Sequence, residues 1–161
     1  MTTHEYEAAH PHSNWCAALW NTSRRTTGSP RGYDRGRMSI VTGTDFIYLP
    51  TRDFERAVEF YGTTLGLRCS ARYGKRPGAE FETGNLTLAV IAVEEFGMTF
   101  HVNENAIALH VEDVEAARAE LESRGVEFVA DTLDTSVCHM AFFRDPDGNA
   151  LMLHNRYAPQ H

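Results

Sequence analysis

Apolar residues recur along this chain with two spacings, one typical of helices and one typical of strands. Helical spacing of three or four residues joins two sets of positions: Phe54, Ala57, Val58, Tyr61 and Leu65, and later Val114, Ala117 and Leu121. Asp53 and Asp113 precede these sets, where an N-cap would bind free backbone N–H groups. Each set ends at a glycine, Gly66 or Gly125, so the pattern predicts two helices.

Short apolar runs surround the two helical segments and predict strands. One such strand opens each half of the chain, before the helix. After the helices, strands are predicted at Arg68 to Arg72, Ala79 to Thr83, Leu86 to Val93, Glu127 to Ala130, Cys138 to Arg144 and Ala150 to Arg156. Each half therefore has the order strand, helix, strand, strand, strand.

The two halves also match each other in sequence. Residues 47–57 match residues 107–117 at a constant offset of 60, and the hairpin residues 84–88 match residues 148–152 at an offset of 64. Such internal similarity is the mark of a repeated structural unit. We therefore predict an α+β fold of two tandem βαβββ modules, at about residues 40–95 and 104–156, within one domain of residues 38–161.

Residues 1–37 are polar, rich in His, Ser, Thr and Arg, and lack sustained periodicity. We expect most of this segment to be a disordered extension. Met38, which directly precedes the first regular strand, is an alternative start of the protein. His4, His10 and His12 have no paired spacing on a defined element, so this segment does not indicate a metal site.

The composition limits the possible partners and location. Acidic residues outnumber basic ones by 22 to 15, which gives a net charge of −7. This charge argues against nucleic acid and anionic membranes as partners and favours neutral or cationic ligands. The three cysteines are far apart, which fits a reducing cytoplasm, and no apolar run approaches the roughly 20 residues of a membrane span.

Four segments together resemble a known superfamily: residues 53–61, 65–67, 113–117 and the turn Asp145-Pro146-Asp147-Gly148-Asn149. In this order, within a duplicated module, they resemble the vicinal oxygen chelate superfamily of glyoxalases, extradiol dioxygenases, fosfomycin-resistance enzymes and bleomycin-binding proteins. The resemblance implies curved sheets that form a cup around a small-molecule ligand, often in a homodimer.

The resemblance also implies where a catalytic metal would be held. Family enzymes place ligands seven residues before each helix-capping aspartate and four residues after each turn glycine. In this sequence those positions are Phe46, Leu88, Ala106 and Met152. None offers the nitrogen or oxygen ligand that a divalent catalytic centre needs, although a shift of one residue at the first position offers Asp45. We therefore predict an apolar floor with neither a metal nor another cofactor.

Three side chains beside this floor could still interact with a ligand. Residues two apart on a strand share a face, so Tyr48, His110 and His154 are expected next to Phe46, Ala106 and Met152. They could orient a ligand or serve as acid and base near neutral pH. The structural alternative is that His154 lies in solvent at a strand end and that His110 makes one hydrogen bond to the nearby loop.

Two functions therefore remain open. We favour a binding protein for a small apolar, aromatic or cationic molecule, with seven contact residues: Phe46, Tyr48, Leu88, Ala106, His110, Met152 and His154. The alternative is a lyase, isomerase or dioxygenase of the glyoxalase type, with Tyr48, His110 and His154 as catalytic residues. Such an enzyme could also hold Zn, Ni, Mn or Fe at a relocated site of His110, His154 and Glu112.

Overall fold

Asp53 and Asp113 cap the two helices, as their positions predicted. The Asp53 and Asp113 carboxylates accept hydrogen bonds from the backbone N–H groups of Arg56 and Ala116, at 3.2 and 3.0 Å. Helix α1 spans Phe54–Glu59 and helix α2 spans Val114–Ser123.

The structure, a computed structural model, describes residues 40–159. The predicted extension 1–37 therefore lies outside the described residues.

Helix α1 continues into a π-helix at Phe60–Thr64, which the sequence pattern did not predict. The wider turn is closed by the Leu65 backbone N–H, which donates to the Phe60 carbonyl oxygen at 2.8 Å. Tyr61 lies in this segment and is fully buried. The π-helix thus places a tyrosine hydroxyl inside the protein, where it needs a partner.

Within residues 40–159, eight strands form two four-stranded sheets. Their bounds are β1 Phe46–Thr51, β2 Arg68–Arg72, β3 Gly78–Glu82, β4 Thr87–Ala92, β5 Ile107–His110, β6 Leu133–Asp134, β7 Cys138–Arg144 and β8 Ala150–Arg156. The sheet orders are β1-β4-β3-β2 and β5-β8-β7-β6, with the pairs β1/β4 and β5/β8 parallel and the others antiparallel. A 3₁₀ helix at Val93–Phe96 follows the first module. The predicted pair of βαβββ modules is confirmed.

The strand predicted at Glu127 to Ala130 is wrong. Only Phe128 pairs there, in a single bridge with Phe143, and the edge strand of the second sheet is β6 instead. The Phe128 ring packs on Phe143 and lies under the Arg118 guanidinium, which donates to the Ala130 carbonyl oxygen at 2.9 Å. Arg118 thus ties the end of this segment to helix α2, and the segment makes one bridge to β7 and no ladder.

Each sheet has one face in the hydrophobic core and one face outside it. On the first sheet the core face carries Leu49, Leu88, Val90, Ala79 and Phe81, and on the second it carries Leu151, Leu153, Ala141 and Phe143. Because side chains alternate along a strand, the residues between these lie on the opposite face. We call that second side of each sheet its open face.

The turn between β7 and β8 joins the two modules. The buried Asp145 carboxylate accepts hydrogen bonds from the Tyr61 hydroxyl at 2.8 Å and from the Asn149 side-chain amide at 2.7 Å. Burial and the adjacent Asp145 charge raise the pKa of Tyr61 well above its usual value. The Asn149 amide also donates to the Pro50 carbonyl oxygen at 2.8 Å. The acidic residues of this turn are therefore structural.

Candidate functional site

The open face of the second sheet brings together most of the predicted site residues of that module. His110 and His154 are direct neighbours on the parallel strands β5 and β8, and Met152 lies two residues before His154. Ala106 lies one residue before β5. Met140 and Phe142 of β7 are the cross-strand neighbours of His154 and Met152. These residues lie on one face, as expected for residues two apart on a strand. Their roles in ligand binding stay predictions.

His110 is paired with a nearby carboxylate. Its Nε2 atom lies 3.5 Å from Oε1 of Glu112, and its side chain is 65% exposed. His154 is only partly exposed and is flanked by His110 on one side and Met140 on the other. This strand pair thus places two imidazoles side by side, one of them next to an acid, in contact with solvent.

The open face of the first sheet is both aromatic and acidic. Phe46 and Tyr48 lie on it with 38% and 47% of their surface exposed. The cross-strand neighbours of Phe46 are Thr87 and then Glu82, and those of Tyr48 are Ala89 and then Glu80. Ala89, which lies between Tyr48 and Glu80, is small and only 1% exposed, so these two larger side chains flank a covered position in the sheet.

Leu88 does not lie on this open face, in contrast to the prediction. It is fully buried in the core, next to Ile47 on β1 and Phe81 on β3. The antiparallel pairing leaves four residues between Glu82 and Thr87 but five between Arg144 and Ala150. The longer second turn shifts the register by one residue, so Ala89, and not Leu88, is the structural counterpart of Met152.

Glu80 is held in place by Tyr73. The Tyr73 hydroxyl donates to Oε1 of Glu80 at 2.9 Å, and burial together with this bond raises the pKa of Tyr73 above its usual value. The Tyr73 ring lies directly over Gly78, where a Cβ would come within 2.2 Å of the ring. Gly78 therefore allows the ring to lie flat on the open face and reach Glu80.

Sequence reasoning did not identify Glu80 and Glu82 as site residues. The signal was present, because both glutamates flank the apolar Phe81 in a predicted strand, and an alternating pattern places them on one face. Their position beside Tyr48 depends on the sheet order, which places β4 between β1 and β3. The order of strands in a sheet is set by tertiary structure, so the spacing of residues along the sequence did not indicate that the two glutamates lie near Tyr48.

A cleft of about 530 Å³ lies between the helical segments and the end of β7. It is lined by residues of the helical segments, the α2–β6 connection and the β7–β8 turn: Arg56, Phe60, Thr64, Arg124 to Val129, and Arg144 to Pro146. None of the predicted site residues belongs to it. Two of its arginines are already bound, Arg124 to Glu120 and Arg144 to Glu104. We therefore base the candidate site on the open faces.

The residues at the family's metal positions do not fit a divalent ion. Phe46 and Ala106 supply no ligand atom, Leu88 is in the core, and Met152 supplies only a thioether. Within residues 40–159, no three His, Cys, Asp or Glu side chains form a group that could hold a metal ion. The same residues include no helix long and apolar enough to cross a membrane.

Solved structures with the same fold include proteins of several functions. A glyoxalase family protein from Bacillus anthracis matches with a TM-score of 0.64 at 22% identity, over 74% of this chain and 99% of that one. A lactoylglutathione lyase from Agrobacterium tumefaciens matches with a TM-score of 0.61 at 16% identity, over 71% and 93%. TnmS3, an antibiotic binding protein from Streptomyces sp. CB03234, matches with a TM-score of 0.63 at 24% identity, over 74% and 99%.

Sequence comparison agrees with the fold. No curated protein matches the chain. The family model of the Glyoxalase/Bleomycin resistance protein/Dioxygenase superfamily matches residues 43–153, which include the first module and all of the second module up to the middle of β8. The chain therefore belongs to the glyoxalase, bleomycin resistance protein and dioxygenase superfamily.

Proposed function

We propose that this protein binds a small cationic molecule with an aromatic or apolar body on the open face of its first sheet. The observation that carries the proposal is Glu80, a partly buried carboxylate next to exposed aromatic rings. Among the described residues, no Lys, Arg or His side chain forms an ion pair with Glu80 or Glu82.

The charge on Glu80 favours a cation. Its hydrogen-bond donor is the neutral Tyr73 hydroxyl, which orients the carboxylate without neutralising it. Glu82 lies two residues along the same face, and within the described part of the chain its carboxylate accepts hydrogen bonds only from the Thr87 hydroxyl, at 3.4 and 3.5 Å. Two carboxylates that share a partly buried face gain more from a cationic ligand than exposed carboxylates would, because solvent screens them less.

The aromatic rings favour a flat or apolar body. Phe46 and Tyr48 stand next to the acidic positions and expose about two fifths of their surface. A ligand that covers them gains hydrophobic burial, and its cationic group can also interact with the ring faces. One open face thus offers both kinds of interaction that an aromatic cation makes.

Features of the second sheet and the family are consistent with this function. We propose that His110, Met152 and His154 add contacts from the second module, together with Ala106. The fold is shared with TnmS3, an antibiotic binding protein. We further propose a cytoplasmic homodimer with a degenerate metal position, so that Zn²⁺, Ni²⁺ and Mn²⁺ bring no specific rise in melting temperature.

The test uses two dyes with the same ring system. Proflavine is a planar cation at neutral pH, whereas acridine at pH 8 is largely uncharged. We expect Glu80→Gln, which keeps the acceptor for Tyr73, to weaken proflavine binding about tenfold or more in fluorescence titrations, and to leave acridine binding nearly unchanged. Tyr48→Ala should weaken both dyes.

The control is Glu95→Gln, at an exposed glutamate of the 3₁₀ helix, which should leave both affinities unchanged. Equal proflavine affinity in the native protein and in Glu80→Gln would contradict the proposal. Binding of neither dye by the native protein would contradict the class of ligand.

A second candidate function is favoured by the His110–Glu112 pair. A carboxylate 3.5 Å from an imidazole can orient it as a general base, which a lyase or isomerase of the glyoxalase type could use for proton abstraction. Turnover of a methylglyoxal–glutathione hemithioacetal that is lost in His110→Asn and kept in His101→Asn would support this enzyme.

A further inference from the structure

The open face of the second sheet carries four residues whose side chains bind soft metal ions. We propose that His110, His154, Met140 and Met152 form a site for Cu(I). The proposal uses the second sheet and does not depend on Glu80 or on the binding of an organic cation.

His154 is the centre of the group. Its cross-strand neighbours are His110 on β5 and Met140 on β7, and Met152 precedes it by two residues on β8. Neighbouring strands lie about 4.8 Å apart, and residues two apart on a strand are separated by roughly 7 Å. Four ligand side chains therefore start within reach of one ion above His154.

The common face of these four residues is fixed by the core on the other side. Leu151, Leu153 and Ala141 alternate with them along β8 and β7 and are buried. A shift of one residue in either strand would expose these apolar side chains and bury the imidazole. The arrangement is thus as firmly set as the core itself.

The chemistry of the group distinguishes among metals. A thioether is a soft ligand that suits Cu(I), while harder divalent ions prefer oxygen and nitrogen. Methionine has three rotatable bonds, so two thioethers can adjust to an ion bound by the imidazoles. The four side chains are partly or largely exposed, so an ion can reach them from solvent.

One more soft donor lies on the same face. Cys138 precedes Met140 by two residues on β7, and its Sγ atom is 3.1 Å from the Thr135 hydroxyl oxygen. Its cross-strand neighbour is Arg156, two residues after His154. A test of the site must therefore separate binding by thioethers from binding by thiols.

The experiment is an anaerobic titration of the full chain with Cu(I), in competition with bathocuproine disulfonate. We expect the double variant Met140→Leu/Met152→Leu to weaken Cu(I) binding about tenfold or more, because leucine keeps the apolar volume but removes both sulfur atoms. Met98→Leu, outside the group, is the matched control and should bind as tightly as the native chain. Melting curves without metal check that both variants fold.

A second measurement locates the ion directly. With Ag(I) as a redox-stable substitute, the ε-methyl NMR signals of Met140 and Met152 should shift and that of Met98 should not. Unchanged Cu(I) affinity in the double variant, with binding lost in Cys69→Ser or Cys138→Ser, would assign the ion to thiols and overturn the proposal. Unshifted signals of Met140 and Met152 would overturn it as well.

Discussion

Asn149 has a fully buried side chain in which every polar group is bonded. Its amide nitrogen donates to the Pro50 carbonyl oxygen and to Asp145, and its carbonyl oxygen accepts from the Asn103 backbone N–H at 2.9 Å. These bonds join the first module, the turn and the segment that enters β5. Asn85 stands next to the corresponding glycine of the first module but is exposed.

Replacing Asn149 should therefore destabilise the protein far more than replacing Asn85. Asn149→Ala removes one of the donors to the buried Asp145 carboxylate and takes the side-chain partner away from the Pro50 carbonyl oxygen and the Asn103 N–H group. We therefore expect a loss of about 2–4 kcal/mol in the free energy of unfolding. Asn85→Ala should cost less than about 0.5 kcal/mol. Urea denaturation measures both, and similar losses would show that the Asn149 bonds are not specifically important.

The residues on the open face of a strand could be predicted from the sequence only where the length of the preceding turn was predicted correctly. Phe46, Tyr48, His110, Met152 and His154 lie on the open faces because strand alternation is local. Leu88 was misplaced because one extra residue in the second turn is not visible in the matching Gly-Asn pairs. A sequence repeat therefore identifies equivalent elements better than equivalent residues.

At the scale of elements, the β6–β7 hairpin is tied to residues 157–158 by backbone bonds to the Val137 carbonyl oxygen and by one side-chain bond. The Tyr157 hydroxyl donates to Oδ1 of Asp134 at 2.6 Å, and the His139 ring packs on the Tyr157 ring. This bond raises the pKa of Tyr157 to about 12 and lowers the pKa of Asp134. Short strand β6 thus gains a contact beyond its own ladder.

We expect Asp134→Asn to return the pKa of Tyr157 toward its ordinary value of about 10, as measured by NMR of tyrosine labelled at Cζ. The raised pKa means that the bond stabilises fully below about pH 10 and that this contribution is lost as the pH rises through 12. For Asp134, whose pKa is lowered, the contribution is present above its ordinary value and lost on further acidification.

The matched control is Asp131→Asn, at an exposed aspartate in the connection before β6, which should leave the Tyr157 titration unchanged. A Tyr157 pKa that stays near 12 in Asp134→Asn would contradict this account of the hairpin.

Elements were predictable where local signals agreed. Strands β2, β7 and β8 have the predicted bounds, because alternation, turn residues and glycines all indicated the same limits. The segment 127–130 was predicted as a strand from its apolar residues, but it packs by Phe128 on Phe143 and by the Arg118 bond to Ala130 and makes only one bridge to β7. The π-helix was missed because its wide turn leaves the apolar spacing almost unchanged.

At the scale of the whole molecule, the duplicated sequence predicted the two modules but not how they are joined. The modules are joined by bonds from side chains of the second module to the first. The β7–β8 turn of the second module contacts Tyr61 and Pro50 of the first. Arg124 of the second module donates to the Thr63 and Thr64 carbonyl oxygens of the first. The positions on the open face of the second sheet could be predicted from strand alternation. On the first sheet the prediction was incomplete, because Glu80 and Glu82 come next to Tyr48 and Phe46 only through the order of the strands.

Deleting residues 1–37 should leave the melting temperature nearly unchanged, because that segment has too little patterned apolar content to add a core layer. Calorimetry of the full and shortened chains measures this. A loss above about 4 °C, which corresponds to roughly 1 kcal/mol in a domain of this size, would contradict the prediction. Trp15→Ala and Trp20→Ala in the full chain would then show whether those side chains are the cause.

The bonds between the modules have a consequence for assembly. The contacts of Asp145 and Asn149 with Tyr61 and Pro50 require the two modules to be neighbours, but they do not require both to come from one polypeptide. Two chains that exchanged their second modules would keep every one of these bonds, and only the connection around residues 97–102 would need a different path. For this fold, a domain-swapped dimer and a monomer are therefore built from the same interface, and the short connection decides between them.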